Sequence, residues 1–283
     1  MGSLRKNLCT IAQMRWEKKL ELISYIALDL QLIHSHNIIH RDLHSGNIFQ
    51  DDLHNAYIGD LGFAIAINRT LEKESNEIYG ALPYIAPEIL QRKSFTKASD
   101  IYSFGIIMWE ISSDDIAFSK YEGNEESLFI EICNGLRPNI LKGTATCYAE
   151  LLKKCWDKDP DKRPSALEIY ETIKNWKNNT EILSEFIKSD NEMVIENNQS
   201  DVIIDNNSVY SSKLISLINQ KLNNCDISDN NIDIEKVIME MDAEKVKMDF
   251  DTIKVEIDVD AENVIVDDGK YIKVNNSKKR KIS

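Results

Sequence analysis

The sequence of 283 residues predicts a mainly α fold with one small β-hairpin, followed by an acidic tail that is weakly folded or disordered. Three observations carry this. Leu20, Ile23, Ala27, Leu30 and Ile33 recur at three- and four-residue spacing, which is one face of an amphipathic helix over residues 17–35. The run "DIYSFGIIMWEI" at 100–111 is apolar on nearly every side, as a helix buried all round must be. After Asn178 the texture changes: "KNNTE", "ENNQS", "DNNS", "LNNCD" and "SDNNID" break the chain and aromatic residues thin out.

The remaining elements follow in chain order. "NIFQ" and "AYIGD" are short strand-like runs joined by the turn-rich "DDLHN" at 51–55, a hairpin pattern. "EESLFIEICNG" reads as a helix ended by Gly135 and then Pro138. Ser165 and Glu168 have capping-box spacing before "IYETIKNW", and Pro164 stops the preceding segment from running into that helix. These signals place a helical domain at 1–178 and the tail at 179–283. Near the end, "IKVEIDVDAENVIVDDGKYIKV" alternates apolar and charged residues around "DDGK", a further hairpin pattern.

Composition narrows the function. The net charge is −13, which argues against a nucleic-acid partner. The charge is uneven: residues 1–180 carry 25 acidic and 21 basic side chains, residues 181–283 carry 22 and 13. Cys9, Cys133, Cys147, Cys155 and Cys225 form no CxxC pair, so structural thiols are expected rather than a disulfide framework or a zinc site. There is no signal-peptide pattern, and the longest apolar run is too short to span a bilayer. A cytoplasmic location without a membrane partner is expected, with nuclear entry through "KKRK" at 278–281 as an alternative.

The densest polar stretch is "HRDLHSGN" at 40–47. It resembles the catalytic loop of eukaryotic protein kinases, H-R-D-L-x-x-x-N. Four more motifs follow in the family's order: "GDLG" with Asp60, "APE" at 86–88, the buried run "SDIYSFGIIMWEI", and "CWDKDPDKRPS" at 155–165 with Arg163. One of these alone would be weak. Asp42 or Asn47 taken singly is as readily a turn residue, and Glu88 or Arg163 a solvated charge. Together they identify the chain as resembling a member of the protein kinase family, in its helical C-lobe. The closing motif and the "WE" lean toward the tyrosine-kinase-like and tyrosine-kinase branches.

The resemblance implies ATP-dependent phosphorylation of a protein Ser/Thr or Tyr hydroxyl, with ATP and Mg²⁺ as cofactors and a protein as substrate. It makes His40, Arg41 and Asp42 the catalytic-loop residues, with Asp42 accepting the substrate hydroxyl's proton. Asn47 and Asp60 become the Mg²⁺ ligands, Asp60 with Gly62 in the Asp-x-Gly motif, and Phe49 the floor beneath adenine. Arg41 would pair with a phosphorylated residue of the activation segment, for which Thr70, Ser75 and Tyr79 are candidates. Glu88 and Arg163 would form a buried ion pair, and Asp100 would accept hydrogen bonds from the catalytic-loop backbone.

Three departures accompany the match. Leu61 replaces the motif's Phe, and His44 stands where many serine/threonine kinases have Lys. No G-x-G-x-x-G occurs, and the strand lysine and its helix glutamate have no counterpart, so the chain reads as starting near the hinge. A truncated gene and a partner that supplies an N-lobe both fit this pattern, and little turnover is expected of the chain alone. The alternative to an enzyme is a non-catalytic kinase-lobe scaffold or interaction protein. In the tail, "DVIID" at 201–205 and "VIVDD" at 264–268 resemble strand-adding motifs for a small modifier protein, beside the plainer reading of an acidic tail.

Overall fold

In the computed structural model, side chains on the core face of each helix decide where the elements lie. The structure describes residues 2–51, 55–66, 78–113, 115–196 and 210–215. All of these belong to one unit, Met1–Lys247; the second unit, Met248–Ser283, falls outside them, as do "DVIID", the tail hairpin pattern and "KKRK". No helix among the described residues is long and apolar enough to cross a membrane.

The chain opens with a two-residue strand β1 (Gly2–Ser3) and helix α1 (Leu4–Ala12). Helix α2 (Trp16–Ser35) follows and buries the face set by its sequence period, including Leu20, Ile23, Ala27 and Leu30. Strands β2 (Ile38–Ile39), β3 (Ile48–Gln50), β4 (Ala56–Ile58), β5 (Ile65–Ala66) and β6 (Tyr79–Gly80) come next. β3 and β4 are the expected antiparallel hairpin, with Phe49 opposite Tyr57. β1 extends it to a three-stranded sheet by pairing with β3, and β2 pairs separately with β5.

The helical body then forms from α3 (Pro87–Leu90), α4 (Lys97–Ser113), α5 (Glu125–Asn134), α6 (Thr146–Cys155) and α7 (Ala166–Lys177). α4 is buried on all sides, as its unbroken apolar run requires: Ile101, Tyr102, Phe104, Ile106, Met108 and Ile111 are each 0–1 % exposed. Gly105 lets α6 close on it, because a Cβ there would stand 2.8 Å from Cys155 Cβ. α5 starts on an Asn124 cap that accepts the Ser127 amide and ends at Gly135, whose φ of +110° is left-handed. The Ser165–Glu168 capping box forms at the start of α7.

Helical packing continues past residue 178, where the sequence reading placed the start of a weakly folded tail. Helix α8 (Thr180–Glu196) docks on α2 and α7. Its Phe186 sits in an aromatic cluster, 5.3 Å from Trp16 and 5.6 Å from Trp176 between ring centroids, with Tyr148 4.6 Å beyond Trp16. Asp190 accepts the Trp16 amide at 2.8 Å, satisfying one of the orphan donors at the start of α2. The helix itself is acidic, with the Asn-rich breaks lying on either side of it, and its apolar positions find a matching surface on α2 and α7. Past α8, strand β7 (Lys213–Leu214) pairs antiparallel with β6.

Because Phe186 is 2 % exposed, Phe186→Ala is expected to destabilise the domain by about 3–5 kcal/mol. Urea unfolding checks this. A loss below about 0.5 kcal/mol would mean that α8 is not part of the cooperative unit.

Candidate active site

The loop after β2 is organised from below by one carboxylate. Asp100, in the first turn of α4 and 1 % exposed, accepts the His40 amide at 2.8 Å and the Arg41 amide at 3.0 Å, one on each oxygen. His34 Nε2 lies 2.9 Å from the same carboxylate. The helix N-terminus adds favourable positive potential. These contacts hold Arg41 in the left-handed region, φ +72°, which costs a non-glycine residue roughly 1–3 kcal/mol. The turn places the Arg41 guanidinium 4.4 Å above the Phe95 ring.

Leu43, 1 % exposed, anchors the loop in the core, and Asp42 beside it is buried as well. Asn47, at the end of a 3₁₀ turn (Ser45–Asn47), donates its side-chain amide to the Asp42 carbonyl at 2.9 Å. The same nitrogen lies 3.4 Å from Asp42 Oδ2. With its nitrogen committed to the loop, Asn47 has its oxygen left to offer a cation. His40 reaches the residue just past β4: its Nε2 donates to the Gly59 carbonyl at 3.1 Å, and the Gly59 amide donates to the Asn47 carbonyl at 2.8 Å. Asp60 follows with φ +58°, its Oδ1 3.3 Å from the Gly62 amide. Phe49 is half-exposed and its ring lies over Gly59, where an added Cβ would stand 2.7 Å from the ring.

The structure thus brings His40, Asp42, Asn47 and the Asp60 turn to one side of the lobe. Burial raises the Asp42 pKa; the Asp60 charge adds to this, while bonds from Ser212 and Asn47 and the proximity of His40 oppose it. Tyr79 faces both carboxylates: its hydroxyl is pushed up by burial and then by Asp42 and Asp60. It stacks on Phe63 at 4.1 Å. Thr70 and Ser75 lie outside the described residues. Glu88 and Arg163 meet in a buried two-pronged pair at 2.6 and 2.7 Å, and Arg163 also donates to the Ala98 carbonyl.

Two groups escaped sequence reasoning. Arg5, on α1, donates to the Tyr210 carbonyl at 2.6 Å and lies 3.3 Å from His44 Nδ1. Ser212, just before β7, donates its hydroxyl to Asp42 Oδ1 at 2.7 Å and lies 3.0 Å from His44 Nε2. No motif marks either residue, since both act through contacts with residues far away in the chain. A guanidinium can only donate, and the Gly46 amide also points at Nδ1, so Nδ1 is the bare nitrogen and Nε2–H donates to Ser212. Burial, then the Arg5 and His40 charges, pushes the His44 pKa down to about 3, so its ring stays neutral.

Among the described residues no three His, Cys, Asp or Glu side chains gather into a metal cluster. The donor set is one amide oxygen and carboxylates, all hard oxygen ligands. That suits Mg²⁺ completed by phosphates and water better than an all-protein cage. An open recess of about 410 Å³, lined by His34, Lys97, Ile101 and Arg163 among others, contains none of these donors.

A family profile described as protein tyrosine and serine/threonine kinase matches residues 1–173. The chain belongs to the protein kinase family. It is 34 % identical over 150 residues to a dual specificity protein kinase of Dictyostelium discoideum, covering 52 % of this chain and 21 % of that one. It is 31 % identical over 162 residues to a serine/threonine-protein kinase of Arabidopsis thaliana, covering 55 % and 27 %. The chain therefore spans about a quarter of the length of these relatives. The matched region ends in α7, so it includes the loop, the Asp60 turn and the Glu88–Arg163 pair.

Two outcomes follow from these contacts. Glu88→Ala should cost about 3–5 kcal/mol because it strands the Arg163 guanidinium, whereas replacing both partners with leucine should cost less; a double-mutant cycle by thermal unfolding reads both. His44 has a folded pKa below its unfolded value of 6.5, so its contribution to stability is complete above that pH and is lost as pH falls toward about 3. The wild type should lose about 2 kcal/mol more than His44→Gln between pH 7.5 and pH 5 in urea melts.

Proposed function

We propose that this lobe takes part in ATP-dependent phosphoryl transfer to a protein hydroxyl, with Asp42 as the group that receives the hydroxyl's proton. The observation that carries the reading is the state of Asp42. It is buried, held from behind by Asn47, and already accepts a side-chain hydroxyl on Oδ1. A carboxylate in that setting orients an acceptor oxygen and takes up its proton as the bond to phosphorus forms. Asn47, through its oxygen, and Asp60 would hold Mg²⁺, whose role when bound is to neutralise charge on the triphosphate. Phe49, exposed on β3, would lie against the adenine. Arg41 would receive a phosphate placed on the activation segment, and the Glu88–Arg163 pair would fix that segment's end. The dual-specificity name of one relative, beside the serine/threonine name of the other, supports a hydroxyl acceptor without favouring one residue type.

The test is transfer of labelled phosphate from Mg·ATP to a mixed Ser/Thr/Tyr peptide library. Asp42→Asn should lower the rate by about 10²–10⁴-fold, the usual worth of a positioned base. Because the Asp42 pKa is raised, the carboxylate exists only above that raised value. The rate should therefore fall with decreasing pH at a midpoint above the ordinary 3.8. Turnover by this chain alone is expected to be slow, since its sequence carries no Gly-rich loop to cover the phosphates. Equal rates for wild type and Asp42→Asn would remove the reading and favour a binding lobe.

A further inference from the structure

The segment Tyr210–Ile215 lies against Asp42 and His44, and it is held as a bound peptide would be. Its strand β7 adds to β6 with Lys213 opposite Gly80 and Leu214 opposite Tyr79. The Ile215 amide continues the ladder to the Ile78 carbonyl at 2.7 Å. Main-chain pairing of this kind holds an extended peptide while side-chain pockets set its identity. Three side chains are recognised. Tyr210 is 7 % exposed and its carbonyl accepts from Arg5; Ile215 is 1 % exposed and joins the core; Lys213 pairs with Glu125 at 2.6 Å.

Ser212 sits between these anchors, on the reacting side. Its hydrogen points to Asp42 Oδ1, and His44 Nε2–H donates to its oxygen. The hydroxyl is thus oriented by an acceptor and a donor at once, and an oxygen lone pair remains for a third partner. Gly80 permits the approach: it has φ +147°, and a Cβ there would stand 3.1 Å from Ile85 and 3.6 Å from Asp42 Oδ1.

We propose that Tyr210–Ile215 is a substrate segment supplied by the chain itself, docked on Tyr79–Gly80, with Ser212 as the hydroxyl phosphorylated in cis. The proposal rests on the phosphoryl-transfer reading of the site and names the acceptor for it. In the step, Ser212 Oγ bonds to the γ-phosphorus of ATP while the bond from that phosphorus to the β,γ-bridging oxygen breaks. ADP leaves with that electron pair, and the hydroxyl proton passes to Asp42. Fixed presentation raises the local acceptor concentration, so a slow site can still complete one such turnover. The phosphoserine then carries about −1.5 to −2 charge against Asp42 and Asp60, which favours release of the segment. The recognised pattern, aromatic at −2, basic at +1 and aliphatic at +3 around the hydroxyl, is also the class of external protein the emptied groove would accept.

The chain is incubated with Mg·ATP over an about 100-fold range of protein concentration, with the mixed peptide library in the same tube, and phosphate is mapped by mass spectrometry. The expected result is phosphate on Ser212 with a rate constant independent of concentration, lost in Asp42→Asn. Library phosphorylation without phosphate on Ser212 overturns the proposal and leaves the proposed function intact. A Ser212 rate constant that rises in proportion to protein concentration overturns the cis assignment. Phosphate on neither acceptor removes both readings together. Hydrogen exchange reads docking without turnover: the Ile215 amide should be protected in the wild type and exchange at least tenfold faster in Ser212→Glu. An unprotected Ile215 amide in the wild type overturns the docked segment.

Discussion

The geometry of the site depends on the carboxylate of Asp100. The loop joins two short strands, β2 and β3, and it contains a left-handed Arg41 that would relax if released. Two backbone amides bonded to one buried carboxylate supply the restraint that the strands cannot. The restraint is effective because Asp100 belongs to α4, which is buried all round and cannot shift without disturbing the core. The polar loop therefore inherits the rigidity of the most apolar helix. Arg163 reaches the same helical turn through the Ala98 carbonyl and carries Glu88 with it. One turn of α4 thus fixes both the 40–47 loop and the Glu88–Arg163 pair.

The second layer of order is set by hydrogen-bond direction. Arg5 can only donate, so the His44 nitrogen it meets accepts, and in the neutral ring the other nitrogen is the donor. Asn47 spends its nitrogen on the Asp42 carbonyl, which leaves oxygen for the cleft. His40 bonds the Gly59 carbonyl and so ties the Asp60 turn to the loop. Each of these polar groups is oriented by a neighbour whose own role is fixed, and the site has little freedom to rearrange.

Much of this was legible in the residues. The period of α2, the unbroken apolar run of α4, the Gly135 stop and the Ser165–Glu168 box are local signals, and local signals determine local structure. The ordered motifs pointed to the grouping of Asp42, Asn47 and Asp60 because their spacing reflects the loop and hairpin between them. What stayed hidden is non-local. α1 has no side-chain cap and only nine residues. α8 carries Ile182, Leu183, Phe186 and Ile187 at helical spacing, but the Asn-rich breaks on either side of it read as linker; it is held by Phe186 and Asp190 meeting residues from α2 and α7. β1 gains its meaning only from β3, and Tyr210–Ile215 only from partners up to 205 positions away.

The paired faces of Asp42 and His44, one accepting and one donating, leave a place between them. A water molecule can bridge an acceptor and a donor about as well as an alcohol can. In the structure the Ser212 hydroxyl fills that position, bonded to Asp42 Oδ1 at 2.7 Å and to His44 Nε2 at 3.0 Å, so an alcohol of the chain itself holds the place that a water would otherwise take between the two groups.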